Sequence, residues 1–197
     1  EQLLPYTGKK DIGILAPRRL LEGEIFTHDF QAYNLSNPFV SMYSKKLAGR
    51  HITSPTEITG TAFEGPFIRR EVVEKIGLPN KGLFIFCDDT DYCLRKILYI
   101  PDALMDKEKF FSNDTWNERS KKKKWKRFYQ IRNSTYLNHH YGRNIAVKYL
   151  RGFNGVMGYI FIALFTSPFA KAYQWKDIPR LWKAYCDGIH EKLGIMS

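Results

Sequence analysis

Three carboxylates fall within four residues of this chain: Asp88, Asp89 and Asp91. They directly follow the apolar run Gly82-Leu83-Phe84-Ile85-Phe86-Cys87. Like charges this close are costly together without a metal, a cationic partner or a catalytic task. A carboxylate in such a cluster is suited to take the proton from an attacking hydroxyl. The structural alternative is a helix start, with Asp88 or Asp89 as the cap of an element that carries Tyr92, Leu94 and Arg95. A cap needs one aspartate, so three leave chemistry open beside capping.

A second constellation is Gly60-Thr61-Ala62-Phe63-Glu64-Gly65-Pro66-Phe67-Ile68-Arg69-Arg70. Small residues before a helix start let a ligand approach the backbone, and unpaired N–H groups there favour anions. Arg69 and Arg70 are candidates to hold a phosphate. The plainer reading is a tight turn with arginines on a solvated face. The densest charge run is Lys121, Lys122, Lys123, Lys124, Trp125, Lys126 and Arg127. It reads as a solvated helix start or as a patch for an anionic surface. The aromatic inside the run, and the aromatic-rich helix after it, favour a lipid surface over nucleic acid. His28, His51, His139, His140, Asp114 and Glu118 are scattered without metal-ligand spacing.

The elements that must position these residues follow from periodicity. Ile12–Ala16 predicts a short buried strand closed by Pro17, and Ile97–Ile100 another closed by Pro101. The run 82–87 predicts a buried strand with the aspartates at its C-terminal end, where α/β proteins place their sites. Glu57–Phe63 predicts a strand, and Gly65-Pro66 opens a helix whose Ile68, Val72 and Ile76 share a face, stopped by Gly77. Residues 18–56 read as a long loop or a small hairpin excursion. Beyond residue 110 the pattern is helical. Trp125, Phe128, Tyr129, Arg132 and Tyr136 mark one helix, Tyr149 to Leu164 a second, and Ile178 to Leu193 a third.

The chain has 197 residues, 44% hydrophobic and 15% aromatic, enough for a real core, and a net charge of +11. That charge calls for an anionic partner. Cys87, Cys93 and Cys186 form an odd set without metal spacing, and are expected to be reduced in a cytoplasmic protein. No apolar run reaches membrane-spanning length.

In their order along the chain, several segments resemble family 2 glycosyltransferases of the GT-A fold, in the bacterial rhamnosyltransferase and galactofuranosyltransferase branch. They are Ile12-Gly13-Ile14-Leu15-Ala16-Pro17, the Ile68-Arg69-Arg70-Glu71 to Lys75-Ile76-Gly77-Leu78 segment, Asp88-Asp89-Thr90-Asp91-Tyr92-Cys93-Leu94-Arg95, Tyr99-Ile100-Pro101-Asp102-Ala103 and Tyr129-Gln130-Ile131-Arg132-Asn133. The resemblance implies an α/β fold: part of a Rossmann-like mixed-sheet GT-A domain over residues 1–110, then a helical region over 111–197 that meets a membrane surface or another subunit. It implies inverting transfer of a sugar, rhamnose, galactofuranose or similar, from a nucleotide diphosphate donor to a hydroxyl of a cell-surface glycan or lipid-linked acceptor. By the family motif Asp89 is the general base. Asp88 contacts acceptor or sugar hydroxyls, Asp91 and Arg95 organise the site, and Gly60, Thr61 and Gly65 line the pocket.

Two departures qualify what is carried over. Relatives hold their nucleotide-binding segments and an Asp-x-Asp metal motif before the place matching Ile12, and none precedes it here. The required Mg²⁺ or Mn²⁺ is therefore expected to find most of its ligands outside this segment. Arg95-Lys96 also runs straight into Ile97 where relatives have a short turn, and Asp102–Lys107 lacks their histidine. The expected location is the cytoplasmic face of the plasma membrane, bound peripherally. The competing readings are a binding or assembly module that kept the fold without activity, and a basic nucleic-acid-binding domain.

Overall fold

A computed structural model describes residues 1–26, 30–43, 45–46, 52–93, 97–107, 118, 121–165 and 173–196. The chain forms two compact units. The first comprises Glu1–Asn34, Tyr43–Asn80 and Asp89–Phe110, and the second Leu35–Met42, Lys81–Asp88 and Phe111–Ser197. Two short excursions from the first half thus belong to the helical unit.

The first unit is built on a mixed sheet of five strands: β1 (Ile14–Leu21), β2 (Glu24–Ile25), β5 (Thr56–Ile58), β6 (Phe67–Ile68) and β7 (Ile97–Lys107). Its order is β2-β1-β7-β5, with β6 also paired to β1. β1 and β7 run parallel, and β5 lies antiparallel on β7. Their apolar runs are continuous because both faces are covered. Ile14, Ala16, Ile97 and Tyr99 enter one core with Ile58 and Cys93, while Leu15, Leu98 and Ile100 enter another with Ile12 and Ala103. β3 (Phe30–Ala32) and β4 (Lys45–Lys46) form a separate antiparallel pair, the small excursion expected within 18–56.

Both central strands outrun their predicted ends. β1 continues through Pro17, and β7 through Pro101. The pairing shifts register there: Pro17 faces Ile100, but Arg18 faces Leu104. The bulge gathers both prolines at the place where a ladder bond is already missing. The expected helix after Gly65-Pro66 also starts later. Phe67 and Ile68 pair with β1, and α1 spans only Arg70–Ile76. Gly77 closes it at φ +80°, its N–H donating to the Val73 carbonyl at 2.8 Å.

The second unit holds three long helical elements, as the periodicity predicts. α3 (Lys124–Tyr141) is followed by a π-helical turn, Ala146–Leu150, that runs directly into α4 (Arg151–Phe165). α5 spans Ile178–Ile189. Phe128, Tyr129 and Ile131 of α3, Val156 and Ile160 of α4, and Leu181, Ala184 and Tyr185 of α5 form its core. Thr135 of α3 packs against a glycine of α4 and a glycine of α5. A β-carbon on Gly152 or Gly188 would fall within 3 Å of its side chain.

The run 82–87 is not a strand. Lys81–Leu83 makes a 3-10 turn, after which Phe84, Phe86 and Cys87 take φ of +60°, +65° and +67°. Phe84 is 54% exposed and Phe86 39%. Its carbonyls are met by side chains of α3 instead of a sheet. Asn133 Nδ2 lies 2.8 Å from the carbonyls of Leu83 and Ile85 and 2.9 Å from that of Phe86. The Arg132 guanidinium donates to the carbonyls of Gly82 and Gly194. Arg132 Nε also donates to Asn133 Oδ1 at 2.9 Å, which turns the amide so that its NH₂ faces the loop. A loop satisfied in this way can hold left-handed residues that a ladder would reject.

Candidate functional site

The acidic cluster forms a short helix, α2 (Asp88–Tyr92), and the division between the two units falls between Asp88 and Asp89. The aspartates therefore start a helix, but they do not end a buried strand. Asp89 Oδ1 accepts from the Thr90 backbone N–H at 2.7 Å and from the Thr90 hydroxyl at 3.3 Å. Both donors belong to the adjacent residue, whereas a helix cap engages the N–H two or three positions on. The two contacts fix the carboxylate in one orientation.

Around Asp89 the first unit gathers residues that the sequence did not single out. The Tyr43 hydroxyl lies 3.3 Å from the Thr90 hydroxyl. Tyr43 meets Tyr33 edge to face, with ring centres 5.9 Å apart. The Tyr33 hydroxyl rests against Gly60, where a β-carbon would fall 2.0 Å from it. Gly60 and Asp89 are thus linked through Tyr33, Tyr43 and Thr90. The buried Thr61 is attached too, its carbonyl accepting from the Cys93 thiol at 3.3 Å. Tyr92 closes the other side. Its hydroxyl donates to the Gly77 carbonyl at 3.0 Å, and its ring meets Phe63 edge to face. Gly60, Thr61 and Thr90 are buried, and Tyr33 and Tyr43 pack over them, with the half-buried Asp89 carboxylate beside these rings and hydroxyls. The two tyrosines come from the polar 18–56 segment, and only its length hinted at a role.

Other candidates lie elsewhere or serve the fold. Gly65, at φ +74°, packs under Met105 and beside Pro17, and a β-carbon there would fall 2.3 Å from the Met105 sulfur. Arg69 directly flanks the N-terminus of α1, but its guanidinium is taken up by backbone carbonyls. Its Nε donates to the Ile12 carbonyl at 2.7 Å, and its Nη2 to those of Lys9 and Thr7, binding the chain before β1. Arg70 is exposed and pairs with Glu74 at 3.5 Å, one turn on. A cleft of about 650 Å³ opens beside α1, lined by Lys10, Asp11, Gly13, Arg69, Glu71, Val72 and Lys75, and it contains none of the aspartates of α2. Asp91 lies in α2 itself, and Arg95 lies outside the described residues.

The basic run divides in the structure. Lys124 pairs with Asp177, and Arg127 stacks over the Tyr159 ring and donates to Gln130, so both help hold the helical unit together. Lys121, Lys122 and Lys123 are exposed, as is Trp125, which meets Tyr129 edge to face and carries the Lys126 ammonium over its ring at 5.3 Å.

Among the described residues, no three His, Cys, Asp or Glu side chains gather to hold a metal, and no helix is long and apolar enough to cross a membrane. The three cysteines form no disulfide. No protein-family model matches the chain, and no curated protein or solved structure is significantly similar to it.

Proposed function

We propose that this chain carries the acceptor side of an inverting glycosyltransferase, with Asp89 as the general base that takes the proton of an attacking sugar hydroxyl. The observation that carries this reading is the half-buried Asp89 carboxylate, oriented by Thr90 and set beside the hydroxyl of Tyr43 and the ring of Tyr33. A hydroxyl attacking an anomeric carbon must lose its proton, and a carboxylate held within hydrogen-bonding reach is a fit acceptor. Sugars present hydroxyls at their edges and C–H groups on their faces, which suit the tyrosines and the threonine. Asp91 follows the base along α2 and would contact acceptor hydroxyls. The donor would be a nucleotide diphosphate sugar, and the acceptor a cell-surface glycan or lipid-linked sugar. A divalent cation, Mg²⁺ or Mn²⁺, would be held mainly by residues beyond this segment, because hard cations need several oxygen ligands.

A second reading, a binding module without activity, draws on the same contacts, since they orient the Asp89 carboxylate whether or not it takes a proton. Turnover separates the two. In the intact polypeptide, Asp89→Asn is expected to cut transfer about 10²–10⁴-fold while donor binding persists. Transfer within a few-fold of wild type would remove Asp89 as the base.

A further inference from the structure

Among the described residues, one face of α4 stands exposed. Phe161, Leu164 and Phe165 are 59%, 53% and 64% exposed, and Phe153 and Met157 are exposed beside them. Trp182 of α5 extends this face, its ring meeting Phe153 edge to face. The only charged residue of α4 is Arg151, which is buried and donates to Asn138 Oδ1 at 2.9 Å. The exposed side of α4 is therefore uncharged along its length. Its opposite side is fixed in the core through Val156, Ile160 and Ala163. Contiguous exposed apolar surface of this kind marks an interaction site.

Charge identifies the occupant. The first unit contains fourteen basic and fourteen acidic residues, and the helical unit seventeen basic against six acidic. The whole net charge of +11 therefore belongs to the unit that bears the apolar face. A second copy of this unit would meet the first with the same excess charge, which opposes pairing. Nucleic acid would answer the charge but leave the phenylalanines in water. An anionic bilayer answers both, with phosphates for the lysines and arginines and an acyl boundary for the apolar face.

We infer that the exposed face of α4, with Trp182, is a docking surface for an anionic lipid bilayer, and that the helical unit binds there peripherally and reversibly. The inference does not depend on the catalytic reading.

The test is co-sedimentation of the full chain with vesicles of phosphatidylglycerol and phosphatidylcholine, and with phosphatidylcholine alone. Wild type is expected to bind the anionic vesicles at least tenfold more tightly, and to lose that preference as ionic strength rises. The combined Phe161→Ser, Leu164→Ser and Phe165→Ser variant is expected to weaken anionic binding at least tenfold with unchanged unfolding temperature, because these side chains are already exposed. Gly158→Ala, on the same helix with open space around it, is expected to bind like wild type. Absence of wild-type binding to anionic vesicles would overturn the inference, and so would equal binding by the triple variant. A dimer that the triple variant dissolves, with vesicle binding untouched, would assign the face to a second copy and overturn it as well.

Discussion

The two units solve the same problem with different materials. The sheet unit is electrically neutral and closes around two strands, β1 and β7, whose alternate residues fill cores on both faces. The helical unit carries all of the excess charge and closes around small-residue contacts, with Thr135 wedged against Gly152 and Gly188. They also treat buried polar groups differently. In the sheet unit, backbone groups are mostly paired along the strands. In the helical unit, the Arg132–Asn133 pair does for the 82–87 loop what a neighbouring strand would otherwise do. The candidate chemistry lies in the neutral unit and the candidate docking face in the charged one. All four tryptophans, Trp116, Trp125, Trp175 and Trp182, belong to the helical unit, so indole fluorescence reports on that unit alone.

The largest expected effect breaks the comparison at its polar brace. Asn133 is fully buried, and Asn133→Ala removes the donor shared by three carbonyls. The Leu83 carbonyl keeps the Ile85 N–H at 2.6 Å and Arg132 Nη2 at 3.4 Å, so the carbonyls of Ile85 and Phe86 are the ones that lose this donor, at about 1–3 kcal/mol each. The loss of stability is therefore expected to be about 2–4 kcal/mol, and to appear as a lower urea midpoint in tryptophan fluorescence. A shift under about 1 kcal/mol would mean that the loop finds other donors and that the brace is dispensable.

This brace also explains what could and could not be read from the sequence. The long helices were legible because the 3.6-residue period is local, and Phe128, Val156 and Leu181 fall where it puts them. β1 and β7 were legible as apolar runs, but their ends were not. A proline reads as a stop, and only the register shift between the two strands shows how each is passed. The run 82–87 misled because its backbone partners lie some fifty residues away on α3, and no local pattern encodes them. For the candidate site, Asp88 and Asp89 were legible from clustering, and the alternative of a helix start was legible with them. Tyr33 and Tyr43 were not, because single tyrosines in a polar segment carry no period.

A smaller effect contrasts two kinds of glycine in the helical unit. At Gly188, an added β-carbon would lie 2.5 Å from the Arg132 carbonyl oxygen and 2.7 Å from the Thr135 β-carbon. Backbone cannot yield as a side-chain tip does, so Gly188→Ala is expected to cost about 1–3 kcal/mol by forcing α3 and α5 apart. At Gly158 nothing lies within 4 Å of such a carbon. Gly158→Ala is expected to stabilise by about 0.5–1 kcal/mol, through the backbone freedom that glycine loses on folding. Opposite signs in thermal unfolding confirm close packing at one position and open surface at the other. The same sign at both would dissolve the contrast.

The smallest effect concerns the neutral unit and its response to acid. Glu64 accepts from the buried Arg19 at 2.8 Å and from Lys107, and both cations also face the Phe26 ring. Burial alone would raise the Glu64 carboxyl, but the hydrogen bonds and charges of Lys107 and Arg19 outweigh it and hold the group below its ordinary value. A carboxyl lowered in the folded state stabilises that state above its unfolded pKa of about 4.3. The contribution fades as pH falls from there through the folded value, where both states are protonated. Because the side chain is 37% exposed, solvent screens the pair and the effect is modest. Glu64→Gln is therefore expected to be less stable than wild type at neutral pH, with the gap narrowing on acidification. Hydrogen exchange of peptides from β1 and β7 reads this in the sheet unit, while tryptophan fluorescence of the helical unit serves as the internal reference. A gap that stays constant between neutral pH and the acid limb would show that the carboxylate contributes packing alone, and that the ion cluster adds nothing to the neutral unit.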